Sequence, residues 1–153
     1  MWYYKDLLFT KEDAAIKIEE GYIGFVYEIA DTTTGKKYLG KKMLVTKKKL
    51  APLKGQKRKR IFIVQSDWEK YYGSSETVKE AVAIRKEDFQ REILDFCKAK
   101  GELSYIEAKY QFEREVLLRD DYYNGIINCR INRTHVKSLW KNWFTFGSNL
   151  YKI

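Results

Sequence analysis

Apolar positions along the 153-residue chain recur at two periods, helical and alternating, and the switches between them mark out short elements. Thr10 followed by Asp13 has the spacing of a capping box with the shorter carboxylate, and it opens a predicted helix over residues 11–20 that Gly21 ends. Two runs of strand-forming residues follow, over roughly 22–30 and 36–44, on either side of the turn-rich Asp31-Thr32-Thr33-Thr34-Gly35. With Asp31 to Thr34 as the loop, Ala30 opposes Gly35 and Tyr27 opposes Tyr38. Alternation then puts Tyr27, Tyr38 and Lys42 on one face.

Residues 46–60, TKKKLAPLKGQKRKR, hold the sole proline and too much charge to pack, and so read as a mobile basic loop. A helix at about 75–86 comes next, with Ser74 or Ser75 as its cap, and then a strand over Phe89–Phe96, although FQREILDF is also compatible with a helix. The longest helix is expected at about 103–118, capped by Ser104 and stopping before Arg119-Asp120-Asp121. Its two apolar stripes, Leu103, Ile106, Tyr110 and Leu117 on one side and Tyr105, Ala108, Phe112 and Val116 on the other, predict a well-buried helix. Glu107 lies beside the first stripe. A carboxylate left unpaired there costs several kcal/mol, so its partner is either a metal ion or a cation from Arg114, Lys109 or another element.

The net charge of +9 is concentrated rather than dispersed. Residues 41–60 hold ten basic residues and no acidic one, and residues 129–153 hold five and none. Such blocks suit a polyanion, because each phosphate that a lysine neutralises releases a condensed counterion. Nucleic acid is therefore the expected partner, with Lys41, Lys47, Lys48, Lys49, Lys54, Lys57, Arg58, Lys59, Arg60, Arg130 and Arg133 as its contacts. A membrane surface is served less well, since the basic run lacks a regular apolar face. The N-terminal MWYYKDLLF has no apolar leader region and no later run approaches the length of a membrane span, so an intracellular protein is expected.

Cys97 and Cys129 stand far apart without a CxxC pair, which predicts reduced thiols and no structural zinc. His135 is the sole histidine, so catalytic chemistry must rest on Tyr, Lys, Arg and carboxylates. The pattern divides into one domain over residues 1–128 and a basic aromatic extension over 129–153. In the extension Arg130, Arg133, Lys137 and Lys141 are interleaved with Trp140, Trp143, Phe144 and Phe146, a spacing that suits docking on the domain or gripping DNA. Trp68, Tyr71 and Tyr72, before Gly73-Ser74-Ser75, read as packing residues, with Tyr72 and Ser74 as candidates to reach a cleft.

Phe25-Val26-Tyr27, then Tyr38-Leu39-Gly40, a helix carrying Glu107, and Tyr123-Asn124-Gly125-Ile126 together resemble the GIY-YIG nuclease superfamily. The likeness extends to the freestanding Seg-type homing endonucleases of large bacteriophages through GFVYEI, KKYLGKK, SDWEKYYGSS, FQREIL, YIEAKYQF and DDYYNGIIN, over about residues 22–128. The resemblance implies an α+β fold, a small three-stranded antiparallel sheet flanked by helices. It also implies a Mg²⁺- or Mn²⁺-dependent endonuclease acting on duplex DNA in the cytoplasm of a phage-infected bacterium, as a monomer or transient dimer. By the same resemblance Tyr27 and Tyr38 are the two motif tyrosines, Glu107 the single metal-binding glutamate and Asn124 the late asparagine.

Phe-Val stands where the first motif has Gly-Ile, and Leu where the second has Ile. The family's arginine on the helix after the second motif gives way here to the basic loop, leaving Lys42, Arg58 and Arg60 as candidates for the phosphate-facing cation. Lys42 is favoured because it follows the motif directly. Tyr27 is then the candidate base, its phenol, near 10 when free, lowered by Lys42, while Tyr38 positions water or phosphate. Asn124 has a second reading as a turn residue in YYNGI. A non-catalytic DNA-binding module and a ribonuclease are the alternative functions.

Overall fold

Burial along Gly24–Asp31 is almost continuous, which is what a strand covered on both faces requires. The computed structural model describes residues 1–139. In chain order its elements are β1 (Trp2–Tyr4), β2 (Leu7–Phe9), α1 (Lys11–Glu19), β3 (Gly24–Asp31), β4 (Lys37–Met43), β5 (Val45–Leu50), β6 (Arg60–Gln65), α2 (Glu76–Arg85), β7 (Phe89–Cys97) and α3 (Lys100–Glu113). Central β3 pairs antiparallel with β4 on one side and β7 on the other, giving the expected antiparallel trio.

The sheet does not stop at three strands. β1 adds to β7 in parallel and β2 returns antiparallel to β1, so the order is β2-β1-β7-β3-β4 and the sheet is five-stranded and mixed. Strands of three residues are too short to show a period, and Lys5 and Asp6, with φ of 49° and 64°, make the tight left-handed turn between them.

The β3–β4 hairpin closes two residues further on than the four-residue loop predicts. Asp31 accepts hydrogen bonds from the Thr33 and Thr34 amides, and its own amide donates to the Lys36 carbonyl, so Ala30 pairs with Lys37 and Tyr27 with Gly40 rather than Tyr38. An even shift preserves faces, and Tyr27 and Tyr38 remain neighbours, with ring centroids 6.3 Å apart. On the other side of β3 the register slips between Val26 and Tyr27, leaving Leu94 as the extra residue of a bulge beside Tyr27.

Residues 46–60 are not a loop throughout. β5 and β6 form a separate two-stranded ribbon, with Lys47 opposite Ile63 and Lys49 opposite Ile61, and residues 51–59 connect them. The helix expected over 103–118 starts three residues earlier and ends at Glu113, followed by Glu115 at φ 51°. Ser104 is therefore not its cap; its hydroxyl donates to the Lys100 carbonyl inside the first turn. Only one side of α3 is buried, through Leu103, Ala108 and Gln111, while Tyr105 and Phe112 of the second stripe are 39% and 60% exposed. The capping box of α1 is present, with Thr10 and Asp13 exchanging backbone and side-chain hydrogen bonds.

Two apolar clusters flank the sheet. One joins Trp2, Phe25, Tyr27, Ile29, Trp68 and Phe96 to Val78 and Val82 of α2; the other joins Val26, Leu39 and Cys97 to Leu103 of α3. Buried Glu28 is satisfied by Arg114, Lys37 and the Tyr122 hydroxyl. Both cysteines are free thiols, and burial pushes that of Cys97 up to about 12. Residues 140–153, which carry Trp140, Lys141, Trp143, Phe144 and Phe146 of the extension, lie outside the described residues. Among the described residues no helix is long and apolar enough to cross a membrane.

Trp2 ties the N-terminal strand to the centre of the molecule. Its ring meets Phe25 and Tyr27 edge-on at 5.2 and 5.4 Å, and its indole N–H donates to the Trp68 carbonyl at 2.9 Å. Trp2→Ala is expected to cost about 3–5 kcal/mol, read as a lower denaturant midpoint in equilibrium unfolding; a midpoint equal to wild type would show that β1 is dispensable.

Candidate active site

Gly40 decides where the Tyr27 phenol goes. A Cβ placed on residue 40 would lie 2.6 Å from the Tyr27 hydroxyl oxygen, so only glycine lets the side chain of β3 pass across β4. Tyr38, on the same face of β4, shares a 2.9 Å hydrogen bond with the Ser74 hydroxyl. Gly73 adopts φ +94°, and a Cβ there would stand 3.0 Å from the Tyr38 ring. Tyr71 completes the cluster, edge-on to Tyr27 at 5.9 Å.

Buried Arg91 holds that segment in place. Its guanidinium lies between the Trp2 and Tyr72 rings, 4.7 and 3.9 Å from their centroids, and one nitrogen donates to the Glu69 and Tyr71 carbonyls at 2.8 and 2.9 Å. Lys42 shares the face of the two motif tyrosines. Its ammonium is 4.1 Å from the centre of the Tyr71 ring and 2.6 Å from Asp67, whose carboxyl the lysine holds below the usual range.

Glu107 approaches from the other side of β4. It pairs with Lys41 at 2.6 Å, its side chain only 15% exposed, and the same ammonium donates to the Ser104 hydroxyl at 3.1 Å. The sequence left three sources for that partner, and the one from another element is realised: Arg114 binds Glu28, and Lys109 faces Glu113 at 3.7 Å. Asn124 is engaged with backbone. Its carbonyl oxygen accepts from the Leu39 amide at 2.9 Å and its amide nitrogen donates to the Leu39 carbonyl at 2.7 Å, covering the outer edge of β4.

The electrostatics depart from expectation at Tyr27. Lys42 does not lower its pKa; burial, followed by the Tyr71 and Tyr38 neighbours, drives it well above the ordinary phenol value, and the Glu107 charge adds to the rise. Tyr38 is raised too, by burial first, against the pull of its Ser74 hydrogen bond, with Glu107 again contributing. The Glu107 charge is a small contributor to both shifts beside burial.

Among the described residues no three His, Cys, Asp or Glu side chains gather into a metal cage. A single, mostly buried carboxylate with one ammonium partner suits a hard cation of the Mg²⁺ kind, which keeps several waters and needs one or two protein carboxylates. Of the remaining candidate contacts, Lys47, Lys48 and Lys49 lie on β5, Lys54, Lys57, Arg58 and Lys59 in the connection, and Arg60 opens β6; all are exposed. Arg60 is spent locally, donating to the Ala51 carbonyl and lying 5.9 Å over the Phe62 ring. Arg130 and Arg133 are exposed, the latter in a short turn, Arg133–Val136, packed on α3.

Sequence reasoning did not assign Asp67 or Tyr71 to the site, and it took Lys41 for a DNA contact only. The signal for Tyr71 lay in SDWEKYYGSS, where the Gly73-Ser74 turn returns the chain to Tyr38. No curated protein and no solved structure matches the chain. A family model does, the one described as "Putative endonuclease segE, GIY-YIG domain", over residues 2–127. That span contains both tyrosine motifs, Glu107 and Asn124, and the chain belongs to the GIY-YIG nucleases of Seg type.

Proposed function

We propose that the protein is a metal-dependent DNA endonuclease of the homing kind, hydrolysing phosphodiester bonds of duplex DNA at β4. The observation that carries this reading is the placement of the Tyr27 hydroxyl over Gly40 and of Tyr38 on one face of that strand, with Glu107 held by the neighbouring Lys41 on the other. Glu107 is the residue to hold Mg²⁺ or Mn²⁺, which when bound relieves charge on the phosphate and the departing oxygen. Lys41 holds the Glu107 carboxylate in place, and Lys42, anchored by Asp67, presents a cation on the phenol face. Asn124 fixes the strand both motif tyrosines depend on.

Tyr27 is protonated at rest, so its proton-accepting form is scarce but strongly basic. Tyr38, held by Ser74, orients water or phosphate. One such centre cuts one strand at a time, so a double-strand break takes two events or two copies of the chain.

Wild type and Glu107→Ala are to be compared on supercoiled plasmid, phage genomic DNA and structured RNA, with Mg²⁺ or with EDTA. Cutting of duplex DNA by wild type with Mg²⁺ alone is expected, and Glu107→Ala should bind in a salt-sensitive way without cutting. Preferential cutting of RNA at matched salt would replace DNA as the substrate, and full activity of Glu107→Ala would remove the carboxylate from the mechanism.

The raised phenol sets the pH dependence. Because the ionised form of Tyr27 is the minor one below its elevated pKa, single-turnover rates should climb about tenfold per pH unit from neutrality with no plateau below about pH 10. Tyr27→Phe should lower the rate roughly 10²–10⁴-fold and flatten that climb. Retention of both rate and profile in the variant would end the assignment of Tyr27 as base.

A further inference from the structure

The β5–β6 ribbon is unlike the rest of the surface. Elsewhere many cations face carboxylates, Lys11 with Glu69, Lys79 with Glu76, Arg85 with Asp31 and Arg119 with Asp121. Residues 45–65 hold eight Lys and Arg and no Asp or Glu, and none of the eight has an ion-pair partner among the described residues. Opposite the lysine strand, β6 exposes four consecutive apolar side chains, with Ile61 at 57% and Ile63 at 67%. A two-stranded ribbon bare on both faces is marginal by itself and calls for a partner.

Its root, by contrast, is fixed. The Ser66 amide donates to the Leu44 carbonyl at 2.9 Å, its hydroxyl to the Met43 carbonyl at 2.6 Å, and Gln65 bridges the Lys11 carbonyl and the Trp68 indole N–H, both at 3.2 Å. Lys47 and Lys49 share a face with Ile61 and Ile63. At the root a cavity of about 670 Å³ runs from Lys47 and Ile63 of that face to Lys42 and Asp67 beside the phenols. The ribbon face and the catalytic face are continuous.

We propose that this ribbon enters the major groove of duplex DNA with the Lys47, Lys49, Ile61 and Ile63 face leading, and thereby selects where the chain cuts. The inference rests on the nuclease reading and adds the element that reads sequence. Strands about 4.8 Å apart fit a groove about 12 Å wide, whereas the deep, narrow major groove of A-form RNA does not admit them. The lysines neutralise phosphates and carry no sequence information, while branched apolar side chains meet the thymine methyl in the groove. A second copy of the chain is disfavoured as occupant, since eight unpaired cations would be brought against eight more.

The test is a comparison of wild type, Ile61→Ser/Ile63→Ser and Lys47→Gln/Lys49→Gln, by sequencing the cut ends of long duplex DNA and by selecting bound duplexes from a random library. The serine pair should lose at least tenfold in preference between favoured and average sequences, with the salt dependence of binding unchanged. The glutamine pair should weaken binding to all duplexes and lower the slope of log affinity against log salt by about 2. Equal thermal midpoints for the three proteins, expected for exposed positions, separate these effects from misfolding.

A base preference in the wild type that the serine pair keeps in full overturns the proposal. So does a wild type without preference, tighter binding to phosphatidylserine vesicles than to duplex, or a dimer that the serine pair dissociates. Library selection needs no cutting: a wild type that selects sequences through Ile61 and Ile63 yet cleaves nothing with Mg²⁺ refutes the nuclease reading and keeps the ribbon.

Discussion

A tyrosine can lie across a neighbouring strand only where that strand gives up its side chain, and Gly40 is where β4 does so. The rest of the site follows from this one exchange. The Tyr27 hydroxyl reaches the outer strand of the sheet while its ring stays buried in the core, and Tyr38 and Tyr71 close around it. Trp2 and Phe25 pack against the same ring from behind, so the apolar cluster that stabilises the fold also aims the phenol. The bulge at Leu94 beside Tyr27 is a second departure from regular pairing at the same point, in keeping with the use of bulges to redirect side chains near functional sites.

The cations divide into two populations with different work. Lys41, Lys42, Arg85, Arg91 and Arg114 are engaged with carboxylates, rings or carbonyls, and they organise the fold and the site. Those of the ribbon have no ion-pair partner among the described residues and account for most of the net charge of +9. Paired cations near the phenols leave a local field that is not strongly positive, which is why burial prevails and the tyrosines are held protonated.

Much of this was legible in the sequence where a local rule applied. Thr10 and Asp13 announced α1, strand-forming runs on either side of a turn announced β3 and β4, alternation announced β7, and the shared face of Tyr27, Tyr38 and Lys42 survived a wrong loop length because the error was even. What was not legible had no local signal. β1 and β2 are three residues each and are held by Trp2 and Phe9 reaching the distant Trp68. β5 and β6 looked like a loop because charge argues against packing, and they do not pack on the core; their strands are held by each other. The Glu107 partner could be narrowed but not chosen, since Lys41 meets it only after α3 has docked across β4.

The central claim is that groups on the two faces of β4 serve one phosphate, and a double-variant cycle tests it most directly. Single-turnover cleavage is to be measured for wild type, Tyr27→Phe, Glu107→Gln and the combined variant at one pH and saturating Mg²⁺. Groups that act as a unit lose little more together than the worse of them loses alone, so the combined variant should cut no more slowly than Glu107→Gln. Losses that multiply would mean that the phenol and the carboxylate act independently, and the shared site at β4 would be contradicted.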